Sequence, residues 1–392
     1  MSSRVAVLLL ASTAVLAAGC SGTTPSAEHR ATAPVASPAA TASARPSPPL
    51  HVIPALLSAT DVYAADRPGL LAPEAAKATS LVYVPNDDDA TVSVIDPRTY
   101  KVVRVEKVGT LPQHVTPSYD LRTLWVDNDK GNSLTPIDPR TGAFGTPVKV
   151  ADPYNLYFTA DGAHAVVVAE RLHRLDFRDP HTMALQHSLH VPCSGIDHAD
   201  FSPDGTHALF SCEFSGQMLW VDMQKQQVVK TIDLPRQSSQ HPKPQDVKIS
   251  PDGTVFYVAD ENSNGVFLID AKTLKVLRFL PTGLGAHGLY VSRDSTTLYI
   301  TNRKGASVSL LSFATRALVT AWLIPGSSPD MGGVSADGNV LWLSGRYTRE
   351  VYAISTKDGH LLARIKVGGQ PHGLCVWPQP GRYSLGHTGV LR

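Results

Sequence analysis

The sequence is poor in cysteine, in net charge and in long apolar runs. It has 4 cysteines in 392 residues, without the C-x-x-C-H spacing of haem attachment or another compact metal motif. Lys and Arg (35) nearly balance Asp and Glu (34), so no basic surface for nucleic acid is indicated. The longest apolar run, residues 5–18, is too short for a comfortable membrane span. Helical periodicity is absent from residues 81–377, so we expect a globular, helix-poor chain.

Residues 1–20 are typical of a secretory signal peptide, because Arg4 precedes the apolar run and small residues follow it. The ending Leu16-Ala-Ala-Gly-Cys20 resembles the bacterial lipobox, in which the cysteine becomes the lipidated N-terminus. The lipobox prefers Leu, Val or Ile where this chain has Ala17, so an ordinary cleaved signal is the alternative. We expect lipidation at Cys20 and a protein anchored to the cell membrane, facing outside the cytoplasm.

The next segment, residues 21–50, has 23 Ala, Pro, Ser or Thr among its 30 residues. Such a composition cannot bury enough apolar surface to offset its conformational entropy, which predicts a disordered tether. Residues 51–79 are predicted to be an N-terminal extension, for which a short helix is one interpretation.

A phrase repeated about every forty residues organises the remainder of the chain. Its seven copies centre on Asp96, Asp138, Asp176, Asp222, Asp270, Ser312 and Ser355. Each copy has two alternating apolar runs around a polar turn, the pattern of an antiparallel hairpin. A second phrase with Asp-Gly, as in FSPDGTHALFS, adds another hairpin before most copies. Four short strands per unit predict an all-β fold, a seven-bladed β-propeller over residues 80–378; six or eight blades fit the count less well.

The first unit begins at Leu81 and lacks an innermost strand, whereas HGLCVW near the C-terminus opens a unit that is never completed. We therefore expect residues 374–377 to complete the first blade and close the ring, which removes exposed strand edges. Residues 379–392 would then form a C-terminal tail.

Three segments, Tyr83-Val-Pro-Asn86, Tyr257-Val-Ala-Asp260 and Tyr299-Ile-Thr-Asn302, resemble the Tyr-Val-Thr-Asn repeat of the YVTN/YncE family of β-propellers. The similarity extends over about residues 81–377 and implies the propeller fold. Related propellers include lactonases, the haem d1 domain of nitrite reductase and amine dehydrogenase heavy chains. Because one fold supports such different activities, the resemblance does not select among them.

Equivalent loops of the blades meet at one mouth of the central channel, so the residues that enter each innermost strand should converge there. The predicted mouth residues are His114, Asn155, Asp197, His198, Asp246, His287, Asp330 and His372. Imidazole and carboxylate groups are ligands for transition metals and are also general acids and bases. The alternative is a polar mouth that holds ordered water. On the metal hypothesis, a divalent transition metal would be bound by His114, His198, His287 and His372.

Cys193 precedes the innermost strand of its blade and Cys212 ends the next strand, which returns to the same face, so we predict a disulfide between them. Two functions remain open. The first is a membrane-tethered propeller, a monomer without nucleic-acid partners, that binds an unknown protein or small molecule at the channel mouth. The second is an enzyme or a redox or metal-binding protein, lactonase-like, that uses the His/Asp ring. The sequence identifies no catalytic residue.

Overall fold

The computed structural model describes residues 52–387 and 389–392. The predicted signal peptide, the lipidation site Cys20 and the predicted tether lie outside the described residues. Within them, 31 short strands form seven antiparallel sheets, and the helical content is two 3-10 helices. The predicted all-β, seven-bladed propeller is confirmed.

The first three blades have the following strands. Blade one contains β1 (Leu81–Asn86), β2 (Thr91–Asp96) and β3 (Lys101–Lys107). Blade two contains β4 (Pro112–Pro117), β5 (Leu124–Asn128), β6 (Ser133–Asp138) and a divided outer strand, β7 (Ala143–Phe144) and β8 (Val148–Lys149). Blade three contains β9 (Asn155–Phe158), β10 (Ala165–Ala169), β11 (Arg174–Arg178) and β12 (Leu185–His190).

The other four blades are regular and four-stranded. Blade four contains β13 (Ile196–Phe201), β14 (His207–Cys212), β15 (Gln217–Asp222) and β16 (Gln227–Asp233). Blade five contains β17 (Pro244–Ile249), β18 (Val255–Asp260), β19 (Gly265–Asp270) and β20 (Val276–Pro281). Blade six contains β21 (Ala286–Val291), β22 (Thr297–Asn302), β23 (Ser307–Ser312) and β24 (Ala317–Leu323). Blade seven contains β25 (Pro329–Val334), β26 (Val340–Gly345), β27 (Glu350–Ser355) and β28 (Leu361–Lys366).

The ring is closed by β29 (Cys375–Trp377), which pairs with β1 as the innermost strand of blade one. Leu81 lies opposite Trp377, and Tyr83 lies opposite Cys375. The Trp377 side chain is buried, so the contribution of the C-terminus to blade one includes core packing as well as backbone pairing. The predicted closure of the ring is confirmed.

The burial of each strand follows its position in the blade. The second strand of blade five, β18, is buried at all six positions, because its two faces pack against neighbouring blades. The outermost strand of blade one, β3, instead alternates between exposed and half-buried side chains. Val, Ile and aromatic side chains fill these interfaces, as is usual for strands in a packed sheet. The predicted disulfide between Cys193 and Cys212 is present and ties the start of β13 to the end of β14.

Two segments outside the repeats pack against the propeller. Residues 52–79 contain 3-10 helices at Ala64–Asp66 and Ala75–Lys77 and are otherwise irregular, in keeping with prolines that interrupt a longer helix. No helix in the described part of the chain is long and apolar enough to cross a membrane.

The C-terminal segment, residues 379–392, folds back into one end of the channel. Its strands are β30 (Ser384–Gly386), which pairs with β9, and β31 (Val390–Leu391), which pairs with β30. The Arg392 guanidinium donates to Asp200 Oδ1 at 2.8 Å and lies over the ring of Tyr63. This segment therefore plugs the channel at the end where the inner strands finish.

Candidate functional site

The inner strands of five blades share a β-bulge at the predicted mouth positions. The register shifts in blade two between Pro112 and Val115 and in blade four between Ile196 and Ala199, with the same shift in blades five, six and seven. A bulge inserts one unpaired residue and redirects the side chains beside it. The repeat therefore places His114 and His198 at irregular positions of their strands.

The four histidines predicted to converge form a closed cycle of ring contacts. The ring centroids of His114 and His198 are 5.5 Å apart, and those of His198 and His287 are 6.2 Å apart. The cycle is completed from His287 to His372 at 5.9 Å and from His372 to His114 at 5.0 Å. All four side chains are buried. The structure thus brings together side chains that are up to 258 residues apart in the sequence.

A fifth histidine, His387, joins the cycle from the C-terminal segment. Its ring centroid lies 4.7 Å from that of His198 and 5.2 Å from that of His114. The preceding Gly386 has a φ of 107° and approaches β9 so closely that a Cβ would lie 2.4 Å from the Leu156 carbonyl oxygen. Sequence analysis missed His387 because it lies outside the repeat; the flanking glycines in GHTG were the available signal.

The candidate ligands divide into two sets of three. The first set, His114, His198 and His387, is called here the axial set. The second set, His287, Asp330 and His372, is called the mouth set. Within each set the three ligand atoms lie within 4.8 Å of one another, and all six side chains are buried. A single metal ion could contact all three members of either set.

Within the mouth set the carboxylate of Asp330 lies between the two imidazoles. Its Oδ1 is 3.0 Å from His287 Nδ1, and its Oδ2 is 3.6 Å from His372 Nε2. His287 Nδ1 and Asp330 Oδ2 have no aligned hydrogen-bond partner in the described ranges. Buried polar atoms are seldom left unsatisfied, so this set is suited to a bound cation or water.

The axial set is oriented by hydrogen bonds from blade three. His114 Nδ1 donates to the Tyr154 carbonyl oxygen at 2.9 Å, which leaves Nε2 with a lone pair and no partner among residues 52–387 and 389–392. The amide nitrogen of Asn155 lies 3.1 Å from His198 Nδ1 and 3.2 Å from His387 Nδ1. One predicted mouth residue therefore positions two of the histidines.

Burial sets the protonation of the imidazoles. It lowers the pKa of His114 to about 4, and it holds the pKa values of His198, His287, His372 and His387 well below the ordinary value. The five rings are therefore neutral at pH 7. Neutral imidazole is the form that coordinates metals.

The remaining predicted residues have different surroundings. Burial raises the pKa of Asp197 well above its usual range, and its Oδ1 lies 3.1 Å from His198 Nε2 without hydrogen-bond alignment. Asp246 accepts the backbone N–H groups of Val247 and Leu289 at 2.9 and 2.8 Å and so joins blades five and six. Burial raises its pKa to about 6. The Asp246 carboxylate thus belongs to the framework, and its Oδ1 also lies 3.9 Å from His387 Nε2.

A cavity of about 390 Å³ opens above the mouth set and is lined by His287 and His372. Blades six and seven contribute Arg303 and Arg346 to its wall, and blades three and four contribute carboxylates. Arg303 donates to Asp330 Oδ1 at 3.2 Å and to Glu261 Oε2 at 2.7 Å. The wall therefore carries charges of both signs, since Arg171 and Lys243 lie among the carboxylates, and the cavity gives a solvent-accessible path to the mouth set.

Comparison with known proteins identifies the family of this chain. A sequence profile described as YncE-like beta-propeller matches residues 48–380. The chain belongs to the YncE-like β-propeller family. No curated protein shows significant sequence similarity to this family member.

Solved structures with the same fold have low sequence identity to this YncE-like propeller. Hydrazine synthase from Kuenenia stuttgartiensis is 21% identical over 74% of this chain and 96% of its own, with a TM-score of 0.62. A putative 6-phosphogluconolactonase from Bacteroides uniformis is 15% identical over 75% of this chain and 98% of its own, with a TM-score of 0.61. The dihydro-heme d1 dehydrogenase NirN is 16% identical over 82% of this chain and 79% of its own, with a TM-score of 0.57. These similarities establish the fold alone.

Proposed function

We propose that this propeller binds a divalent transition metal at the floor of its channel mouth, through His287, Asp330 and His372. The observation that carries the proposal is the gathering of two neutral imidazoles and a carboxylate within 4.8 Å, buried and facing an open cavity. The mixed nitrogen and oxygen donors favour a transition metal such as Zn²⁺, Cu²⁺ or Fe²⁺ over Mg²⁺ or Ca²⁺, which prefer oxygen ligands.

The metal would make the mouth a binding site for a small molecule. Three protein ligands leave coordination positions for water or an exogenous group, the arrangement typical of functional rather than structural metal sites. Arg346 lines the same cavity, and its Nη1 has no hydrogen-bond partner among the residues the structure describes. We therefore propose that the ligand is a small anion that coordinates the metal and pairs with Arg346.

Metal analysis tests this proposal. The protein is purified without chelators, dialysed against Zn²⁺-containing buffer, desalted, and its zinc is measured by inductively coupled plasma mass spectrometry. We expect His287→Gln/His372→Gln to lose one equivalent of zinc relative to the wild type. His360→Gln is the matched control, because His360 is an exposed histidine on blade seven, away from the channel. An unchanged zinc content in the double variant would refute the proposal.

We also propose that the propeller works outside the cytoplasm, tethered through lipidated Cys20. The support is the lipobox-like sequence at residues 16–20, together with a disulfide of the kind that persists in oxidising compartments. Metabolic labelling with radioactive palmitate tests the anchor. We expect the label on the wild type and none on Cys20→Ala, and an unlabelled wild type found in the culture medium would contradict the tether.

A further inference from the structure

We infer that the channel contains a second metal site, formed by the axial set His114, His198 and His387, and that this metal fastens the C-terminal segment into the propeller. The inference goes beyond the proposed mouth site, because it uses different ligands and one of them comes from outside the blades. Because the two sites share no ligand, either proposal can be refuted while the other stands.

The ligand atoms of the axial set are close enough for small ring rotations to bring all three within bonding distance of one metal ion. The ligand atoms of His114, His198 and His387 lie within 4.8 Å of one another, and the three side chains are 0%, 0% and 1% exposed. None of the three members is a carboxylate. A set of neutral nitrogen donors selects Zn²⁺ or copper rather than hard cations that require oxygen.

Tyr154 and Asn155 of blade three also orient the three imidazole rings through polar contacts. His114 donates from Nδ1 to the Tyr154 carbonyl, and the Asn155 side chain lies within hydrogen-bond distance of both other rings. A metal-binding histidine usually donates its other ring N–H to an acceptor, which sets the ring orientation and tautomer, and His114 does so here. For His198 and His387 to bind a metal through Nε2, the Asn155 amide would turn so that its oxygen rather than its NH₂ group faces their Nδ1 atoms. Two consecutive residues at the start of β9 thus organise the axial set.

The axial set differs from the mouth set in its access to solvent. The open cavity is lined by His287 and His372 but by none of the three axial histidines. On the opposite side, the channel is plugged by the C-terminal segment, with Arg392 bonded to Asp200. The axial metal would therefore be enclosed, and we assign it a structural role.

Binding of this metal would be coupled to docking of the C-terminal segment. His387 follows β30, whose pairing with β9 is the single register position Gly386 to Tyr157, and its backbone N–H donates to Leu156. A metal that joins His387 to ligands in blades two and four adds a cross-link between this segment and the ring. Because the complete set of three histidines exists only in the docked state, that state should bind metal more tightly, and metal should therefore favour docking.

Zinc stoichiometry is the first test. We expect two equivalents per wild-type chain, one in His387→Gln, one in His287→Gln/His372→Gln, and none when all three substitutions are combined. His198→Gln is a second axial variant within a blade and should also retain one equivalent, and His360→Gln should retain two. Thermal unfolding of each metal-free variant, compared with metal-free wild type, verifies that the propeller is intact.

Digestion with a carboxypeptidase is the second test and follows the segment itself. Zinc should slow removal of the C-terminal residues at least tenfold in the wild type and have no such effect in His387→Gln. Two zinc ions in His387→Gln would overturn the inference. So would a single wild-type zinc that both the axial and the mouth variants lose, because the five histidines would then form one site. Loss of zinc from the axial variants alone, with none lost from the mouth variant, would retain this inference and refute the proposed function.

Discussion

Glu261 gives a prediction whose size can be worked out from the structure. Its carboxylate is nearly buried and accepts from three cations: Arg303 at 2.7 Å, Lys243 at 2.9 Å and Lys304 at 2.6 Å. Burial alone would raise the pKa of Glu261, but these cations, Arg303 foremost, hold it at about 2 instead of 4.5. That difference corresponds to about 3 kcal/mol of native-state stabilisation, which screening around half-exposed Lys304 reduces to about 2 kcal/mol.

The substitution Glu261→Gln should therefore lower the free energy of unfolding by about 2 kcal/mol at pH 7. Because the folded pKa lies below the unfolded one, this stabilisation is complete above the unfolded value and disappears as the pH falls through the folded value. The difference between wild type and variant should accordingly shrink between pH 5 and pH 2. Urea unfolding followed by tryptophan fluorescence measures it. A variant as stable as the wild type at pH 7, or a pH-independent difference, would refute the reasoning.

The same substitution should also change the affinity of the mouth set for the proposed metal. Arg303 joins Glu261 to Asp330, so loss of the Glu261 charge leaves the guanidinium to compete for the Asp330 carboxylate. We expect Glu261→Gln to weaken zinc binding at the mouth set about tenfold in calorimetric titration and to leave the axial set unchanged. Equal affinity in both proteins would show that Arg303 does not compete with the metal.

Three further predictions concern the framework. Replacing Cys193 and Cys212 together by alanine opens a loop spanning 19 residues and should lower the free energy of unfolding by about 3 kcal/mol in urea; an unchanged midpoint would contradict it. Trp377→Ala should cost about 3–5 kcal/mol in thermal unfolding and loosen the joined termini, whereas a near-neutral effect would contradict the contribution of Trp377 to the core of blade one. Tyr157→Phe leaves the backbone N–H of Ala199 without its acceptor and should cost about 1–3 kcal/mol by the same assay, with no change in zinc content.

The fold and the convergence of four histidines were accessible from the sequence because both follow from repetition. A hairpin phrase that recurs seven times specifies strand order locally, and equivalent positions in a closed ring must face one axis. Ring closure could be anticipated for the same reason, since a surplus inner strand at the C-terminus matched a missing one at Leu81.

Features that do not repeat were beyond the sequence argument. His387 reaches the channel only because residues 379–392 turn back onto β9, a long-range pairing without a repeated counterpart. The division of the histidines into two sets depends on Asn155 and Tyr154, whose hydrogen bonds become evident only in three dimensions. Asp246 occupies a repeated mouth position, yet its oxygens cap backbone groups of the adjoining strands. Position in a repeat predicts where a side chain lies but not its partners.

Anomalous X-ray scattering at the zinc absorption edge, from crystals of protein loaded with Zn²⁺, is the most direct test of a metal at the channel mouth. We predict an anomalous peak about 2.0–2.2 Å from a nitrogen of His287, a nitrogen of His372 and a carboxylate oxygen of Asp330. Density at the mouth set without an anomalous signal, or zinc bound only at surface histidines such as His360, would contradict the account.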